Sequence, residues 1–454
     1  MVIPPGFGIV WTIALLRLAG NALGRAYGEH PPYENWFSCS AIRHCQVDNF
    51  EGRVLSAELN VGTLQCAFLS APRAPFRKTF RSAEEVSMTK EPRVIDGDGH
   101  IFEDGEAISR HFPYSAAGAR LRSGVFPLNS HIQYSLTRTP PGAFATNSEG
   151  RFQNPGPEGW IKFMDEVGID HAVLFPTAGQ RIGRIVDRDY AAGAARAYND
   201  WLAETYLGRD SRFKGIAIVP MHDAEAALEE LRHAYAELGM CAVLFPATGV
   251  HLNLGAKPYW PVYAEAARLG CPIVVHGGGH WDLGMETMNV STGANAIGHP
   301  MSLAIALAEM VLNNLFDRFT GLRVAYLEGG PLWFLMAIER LSRSYEAGTP
   351  INPRGELLHL PEGQTVADYL RALIQAGRLV VGIEGGESDL AYAVKVAGEG
   401  AFMFSSDFPH EVNVHTVKKE IRELCEREEI NEGAREAILR GNAARFYKLA
   451  SAAN

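Results

Sequence analysis

Basic clusters are scarce in this chain, and so are paired cysteines. Lys and Arg number 42 against 52 Asp and Glu, for a formal net charge of −10. No Lys/Arg run overrides that balance, which excludes a face built for phosphate backbones and leaves no expectation of a nucleic-acid partner. The six cysteines show neither CxxC nor CxxH spacing, which excludes a disulfide scaffold and a structural zinc site and fits a reducing, cytoplasmic compartment. Long hydrophobic runs are few. The apolar stretch Phe7 to Leu23 is interrupted by Arg17 and has no basic residue before it, so it makes a poor membrane span and a poor secretory signal. No glycine fingerprint follows the first strand to open a helix, which argues against a doubly wound dinucleotide fold. With 47% hydrophobic and 21% charged residues over 454 positions, the composition is that of a soluble globular protein, long enough for one α/β barrel with insertions.

Residues 1–87 do not match the rest. They hold Cys39, Cys45 and Cys66, are punctuated by proline, and show no sustained helix or strand period. Met88 reads as the natural start, with 1–87 a poorly ordered extension and 88–454 the barrel domain; the competing reading is a targeting or partner-binding segment.

From Arg93 onward, short apolar or β-branched runs alternate with helical patterns. Eight candidate strands lie at Val94–Asp98, His171–Pro176, Gly215–Pro220, Cys241–Pro246, Pro272–His276, Val324–Glu328, Leu379–Glu384 and Ala401–Asp407. Helices are expected over Tyr190–Leu207, over Ala224–Leu238 behind an Asp223 cap, and over Pro261–Leu269 and Pro331–Tyr345 with proline in the first turn. Continuous apolar strands between amphipathic helices imply a parallel sheet covered on both faces, and eight such units imply a (β/α)₈ TIM barrel. Two long stretches, Ile101 to Trp160 with His131 and Tyr134, and Gly279 to His299 with His280 and Trp281, are expected to form lid loops over the strand C-termini.

The chemistry gathers at those C-termini. In Val94-Ile-Asp-Gly-Asp-Gly-His100, strand alternation sends Asp96, Asp98 and His100 to one side, while Gly97 and Gly99 allow close backbone approach on the other. Strand five ends in His276-Gly-Gly-Gly, strand six in Glu328-Gly-Gly-Pro, strand seven in Glu384-Gly-Gly-Glu387 and strand eight in Asp407-Phe-Pro-His410. A lone histidine or aspartate at such a place is usually a turn or cap residue, but this many at one end suit a divalent cation: zinc first, with manganese or iron(II) as the other candidates.

These segments, together with Trp333, resemble the amidohydrolase superfamily from about Met88 to Leu449, in its branch related to aminocarboxymuconate semialdehyde decarboxylase. The resemblance implies metal binding by Asp98, His100, His276 and Asp407, with Asp407 also handling a proton. It further implies a small-molecule substrate and a homodimer. Two positions depart from the decarboxylase pattern: Asp98 replaces the first histidine of His-x-His, and Glu328 stands where a strand-six histidine is usual. Glu328 then becomes a candidate ligand or general base, and hydrolysis of a small amide, lactone or ester is the expected reaction. The alternative is metal-dependent decarboxylation of an aromatic or unsaturated acid; a barrel that only binds its ligand is a third reading. Glu103, His280, Trp281, His299, Glu384 and His410 are candidate substrate contacts or supports of the ligands.

Overall fold

The computed structural model describes residues 92–113, 124–127, 154–277, 280, 281, 283–285, 288, 290–348, 351–410 and 412–449. The expected extension 1–87, with His131 and Tyr134 of the first expected lid, lies outside them.

Eight parallel strands form one sheet in sequential order: β1 Val94–Ile101, β2 Ile169–Pro176, β3 Phe213–Ile218, β4 Ala242–Pro246, β5 Ile273–His276, β6 Val324–Leu327, β7 Leu379–Ile383 and β8 Phe402–Phe404. The seam between β8 and β1 is drawn together beyond the short β8 by backbone hydrogen bonds: Asp407 N donates to Asp98 O at 3.0 Å, and His100 N to Phe408 O at 2.6 Å. The architecture is thus the expected (β/α)₈ barrel. Its strands, Ile-Val-Val in β5 and Leu-Val-Val in β7, are buried throughout, because helices cover the outside while side chains fill the inside.

The helices start where short polar side chains satisfy free backbone N–H groups. Asp223 accepts from Glu225 N and Ala226 N at the head of Ala224–Arg232, and Thr365 closes a capping box with Asp368 at the head of Val366–Gln375. Pro261 lies in the first turn of Trp260–Leu269.

The second expected lid differs from the structure. Ser291–Leu312 is one helix, with Pro300 inside it. Its Gly/Asn-rich start has loop composition, yet the segment packs against β5 and the helix Leu332–Ala347, and that packing outweighs weak local propensity.

Candidate metal centre

β1 carries an irregularity that decides which of its acids meet. Asp96 pairs with Ala172 and Gly99 with Leu174, so three residues of β1 advance while β2 advances two. Such a bulge breaks strict alternation. Asp96 therefore does not join Asp98 and His100 as expected. Its Oδ2 lies 3.0 Å from where a Gly99 Cβ would stand, on the side occupied by Trp160. There it accepts hydrogen bonds from Ser406 Oγ at 2.6 Å and, through Oδ1, from Ser406 N at 2.9 Å. Burial raises its pKa to about 7 despite those bonds. Asp96 ties the end of strand eight to strand one.

Gly99 permits a second close fit. A Cβ there would lie 2.3 Å from Trp160 Cη2, and the Trp160 indole N–H donates to His100 O at 3.0 Å. Trp160 and Phe163, on the helix Gly156–Val167, enclose Phe408, with Phe163 stacked on it at a 3.7 Å centroid distance. Apolar packing thereby holds the turn that follows β8, and with it Asp407.

Among the described residues, two groups of three donors converge: Asp98, His100 and His276, and His100, Asp407 and His410. Asp98, His100 and His276 are almost wholly buried. Asp98 Oδ2 is 3.2 Å from His276 Nε2, while Asp98 Oδ1 and Asp407 Oδ1 each lie 3.5 Å from His100 Nε2. His100 Nδ1 faces Pro176 O at 3.3 Å, where it must donate, so its Nε2 presents a lone pair to two carboxylates. Asp98 Oδ1 and His100 Nε2 are buried without a hydrogen-bond partner. A cation satisfies acceptors that repel each other across such a gap, and the oxygen and imidazole donor set fits a divalent ion.

The charges agree with this geometry. Burial raises the Asp98 pKa against the pull of His276, and burial together with the charges of His410 and His276 holds His100 well below the usual imidazole range. Burial alone would lower His276 as well, but Asp98 and Glu328 raise it to about 9.

The remaining candidates fall around this centre. His410 Nδ1 meets Asp407 Oδ1 at 2.7 Å, its Nε2 meets Thr177 Oγ1 at 3.0 Å, and its ring stacks on His100 with centroids 4.2 Å apart. Asp407 and Glu328 both have left-handed backbone, φ +54° and +64°, where their strands turn away. Glu328 belongs to neither converging group among the described residues. Its Oε2 is 3.3 Å from Nδ1 of His276, the nitrogen facing away from Asp98, and its Oε1 is 3.5 Å from His299 Nε2. His280 is buried and packs edge-on against the His299 ring, and Trp281 lies under the Arg184 guanidinium, 4.1 Å from its ring centre.

Glu103 accepts from Ala178 N and Gly179 N, bracing the turn after β2. Glu384 is exposed and adds its charge to Glu420, whose pKa burial and the acids Glu384, Glu387 and Glu423 raise to about 8. Thr177 escaped the sequence reading because a hydroxyl carries no ligand signal, although its place just past β2 is where a barrel keeps its chemistry. A cavity of about 910 Å³ opens at the opposite end, where Arg93, Arg212 and Lys448 line it.

A family model described as Amidohydrolase matches residues 95–347 and 360–449. A gamma-resorcylate decarboxylase of Rhodococcus jostii is 28% identical over 312 residues, 64% of this chain and 86% of that protein. The 2-amino-3-carboxymuconate-6-semialdehyde decarboxylase of Dictyostelium discoideum is 24% identical over 301 residues, 64% of this chain and 77% of that protein. A dihydroxybenzoic acid decarboxylase of a Polaromonas species, solved with manganese and the inhibitor 2-nitroresorcinol, superposes with TM-score 0.55 at 21% identity, over 79% of this chain and 97% of that one. These relatives are carboxy-lyases, which overturns the expectation of a hydrolase. Glu328, the residue that suggested hydrolysis, belongs to neither converging group among the described residues and faces the imidazoles of His276 and His299. The donor set supports a divalent metal without singling out zinc.

Proposed function

We propose that this chain, which belongs to the amidohydrolase family in the branch related to aminocarboxymuconate semialdehyde decarboxylase, removes CO₂ from a hydroxylated aromatic or unsaturated carboxylic acid without redox chemistry. The observation that carries the reading is the convergence of Asp98, His100, His276 and Asp407 at one barrel mouth in a chain whose curated relatives are decarboxylases. Those four residues would hold the cation. Manganese is the favoured ion, since mixed carboxylate and imidazole donors accept it and the Polaromonas relative contains it. When bound, the ion supplies Lewis-acid chelation of the substrate carboxylate and its neighbouring oxygen.

The chain's own residues do the rest. Pro176 O fixes the tautomer of His100, and Glu328 faces Nδ1 of His276; both leave Nε2 directed at the centre. Loss of CO₂ breaks a carbon–carbon bond and leaves its electron pair on carbon, where a proton must add. Asp407, hydrogen-bonded to His410 and through it to Thr177, is placed to hold and pass that proton. The substrate is a small molecule, and the buried thiols of Cys241 and Cys271, with pKa values raised first by burial, suit a reducing cytoplasm.

The test is CO₂ release by the manganese-loaded protein from a panel of hydroxybenzoates, including 2,6-dihydroxybenzoate, with and without EDTA. Metal-dependent release from at least one is expected. Hydrolysis of esters or lactones with no CO₂ from any acid would defeat the proposal.

A further inference from the structure

At the floor of the barrel, away from the metal centre, the strands begin rather than end. Arg93 precedes β1, Asp170 lies at the start of β2, Arg212 precedes β3 and Cys241 precedes β4, and all four line the cavity of about 910 Å³ that opens there. That volume falls in the range of small-molecule sites, roughly 300–1,000 Å³. Tyr235, Met240 and Leu449 give it an apolar wall, while Lys214 and Lys448 add charge to that of the arginines.

The charge here runs against that of the chain as a whole. Asp170 Oδ2 lies 2.8 Å from Arg93 Nε and 3.6 Å from Arg440 Nε, so two guanidiniums share one carboxylate. Arg212 is matched by Asp210 and Asp165. Lys214 and Lys448 pair with no carboxylate among the described residues: Lys214 Nζ donates to Ser211 O at 2.7 Å, and Lys448 Nζ to Gly270 O at 3.1 Å. A carbonyl accepts a hydrogen bond from an ammonium without cancelling its charge. Five cations therefore stand against three carboxylates around this cavity, in a chain whose formal net charge is −10.

The acceptor that Lys448 uses is already taken. Gly270 O also receives Tyr235 Oη at 3.1 Å and Arg323 Nη2 at 2.7 Å, three donors on an oxygen with two lone pairs. Lys448 is the exposed one of the three. An anion in the cavity offers its ammonium both a free lone pair and an opposite charge.

We propose that this floor cavity binds a phosphate monoester with an apolar body, its phosphate on Lys214, Lys448 and Arg93 and its body on Tyr235, Met240 and Leu449. A phosphate brings two negative charges and enough terminal oxygens to give each of the three cations an acceptor. The site is separate from the metal centre and does not rest on the decarboxylase reading.

The experiment is calorimetric titration of the full-length chain with 1-naphthyl phosphate, with 1-naphthalenesulfonate, which keeps the body but carries one charge, and with inorganic phosphate, which lacks the body. The wild type is expected to bind the naphthyl phosphate most tightly, with the same affinity in the manganese-loaded protein and in protein stripped of metal and desalted. The double variant Lys214→Met/Lys448→Met keeps the length of both side chains, removes both charges and weakens binding by about 10- to 30-fold. Lys214→Arg/Lys448→Arg retains it, which separates lost charge from a disturbed fold. Absence of binding by wild type at millimolar concentration, equal binding of the sulfonate, or a wild-type affinity in the methionine variant overturns the assignment. So does binding that disappears with the metal, which would place the ligand at the barrel mouth.

Discussion

Stripping the divalent cation with EDTA should lower the melting temperature by several degrees, and the size can be worked from the centre itself. Without the ion, Asp98 Oδ1 and His100 Nε2 are buried acceptors 3.5 Å apart with no hydrogen between them. An ion that binds only the folded state, at about 1,000 times its dissociation constant, adds about 4 kcal/mol of stability. Unfolding roughly 360 barrel residues at ~2.1 cal/mol/K each corresponds to ~0.8 kcal/mol per degree, so the expected rise is about 5 °C. Differential scanning fluorimetry in EDTA and in excess manganese measures it directly. His276→Ala should abolish the manganese-dependent shift and also lower the metal-free melting point, because Asp98 loses its nearest cationic partner. A melting point insensitive to manganese in the wild type, or a full shift retained in His276→Ala, would refute the assignment of the centre.

In EDTA, stability should fall as the pH rises from 7 to 9. His276 is raised from 6.5 to about 9 in the folded protein, so its contribution is complete below 6.5 and lost as pH climbs through 9. Asp96, raised from 3.8 to about 7, and Glu420, raised from 4.5 to about 8, also keep protons that the unfolded chain has released, and so act in the same direction. Urea midpoints at pH 7, 8 and 9 check this, above the window below 6.5 in which His100 and His299, lowered on folding, act in the opposite direction; a flat or rising series contradicts it. With manganese present the His276 part should reverse, since the ion needs the neutral imidazole. Gly99→Ala should cost about 1–3 kcal/mol or more through overpacking, because its Cβ would fall 2.3 Å from Trp160 Cη2. A denaturation midpoint equal to wild type would show that Trp160 moves freely, contrary to its enclosure by Phe163 and Phe408.

Much of the centre was legible because strand ends in a parallel barrel are short, apolar and abruptly terminated. His276 closes β5 after Ile-Val-Val, and Asp407 follows the Phe-Met-Phe of β8, so the change from apolar to donor marks the mouth directly. Glu328 was legible as a mouth residue by the same signal. Its orientation was not: a carboxylate after β6 can turn to a cation or to an imidazole, and only the position of His276 and His299 chooses. Asp96 misled because period-two alternation assumes a regular strand, and the bulge depends on pairing with β2, whose partner residues lie 75 or 76 positions away in the chain. The segment Ser291 to His299 misled in the opposite way, its glycines and asparagine reading as loop where packing makes helix.

The sequence by itself determined the barrel, since eight apolar runs alternating with amphipathic ones have few other ways to bury both faces of a parallel sheet. It also determined which residue types crowd the mouth, because each strand carries its own terminal donor. Tertiary structure alone decided which donors share a centre, which support it, and which face each other across it. Those relations are set by distances of about 3 Å between residues as far apart as Asp98 and His276, or Thr177 and His410, and no local pattern encodes a distance across the barrel.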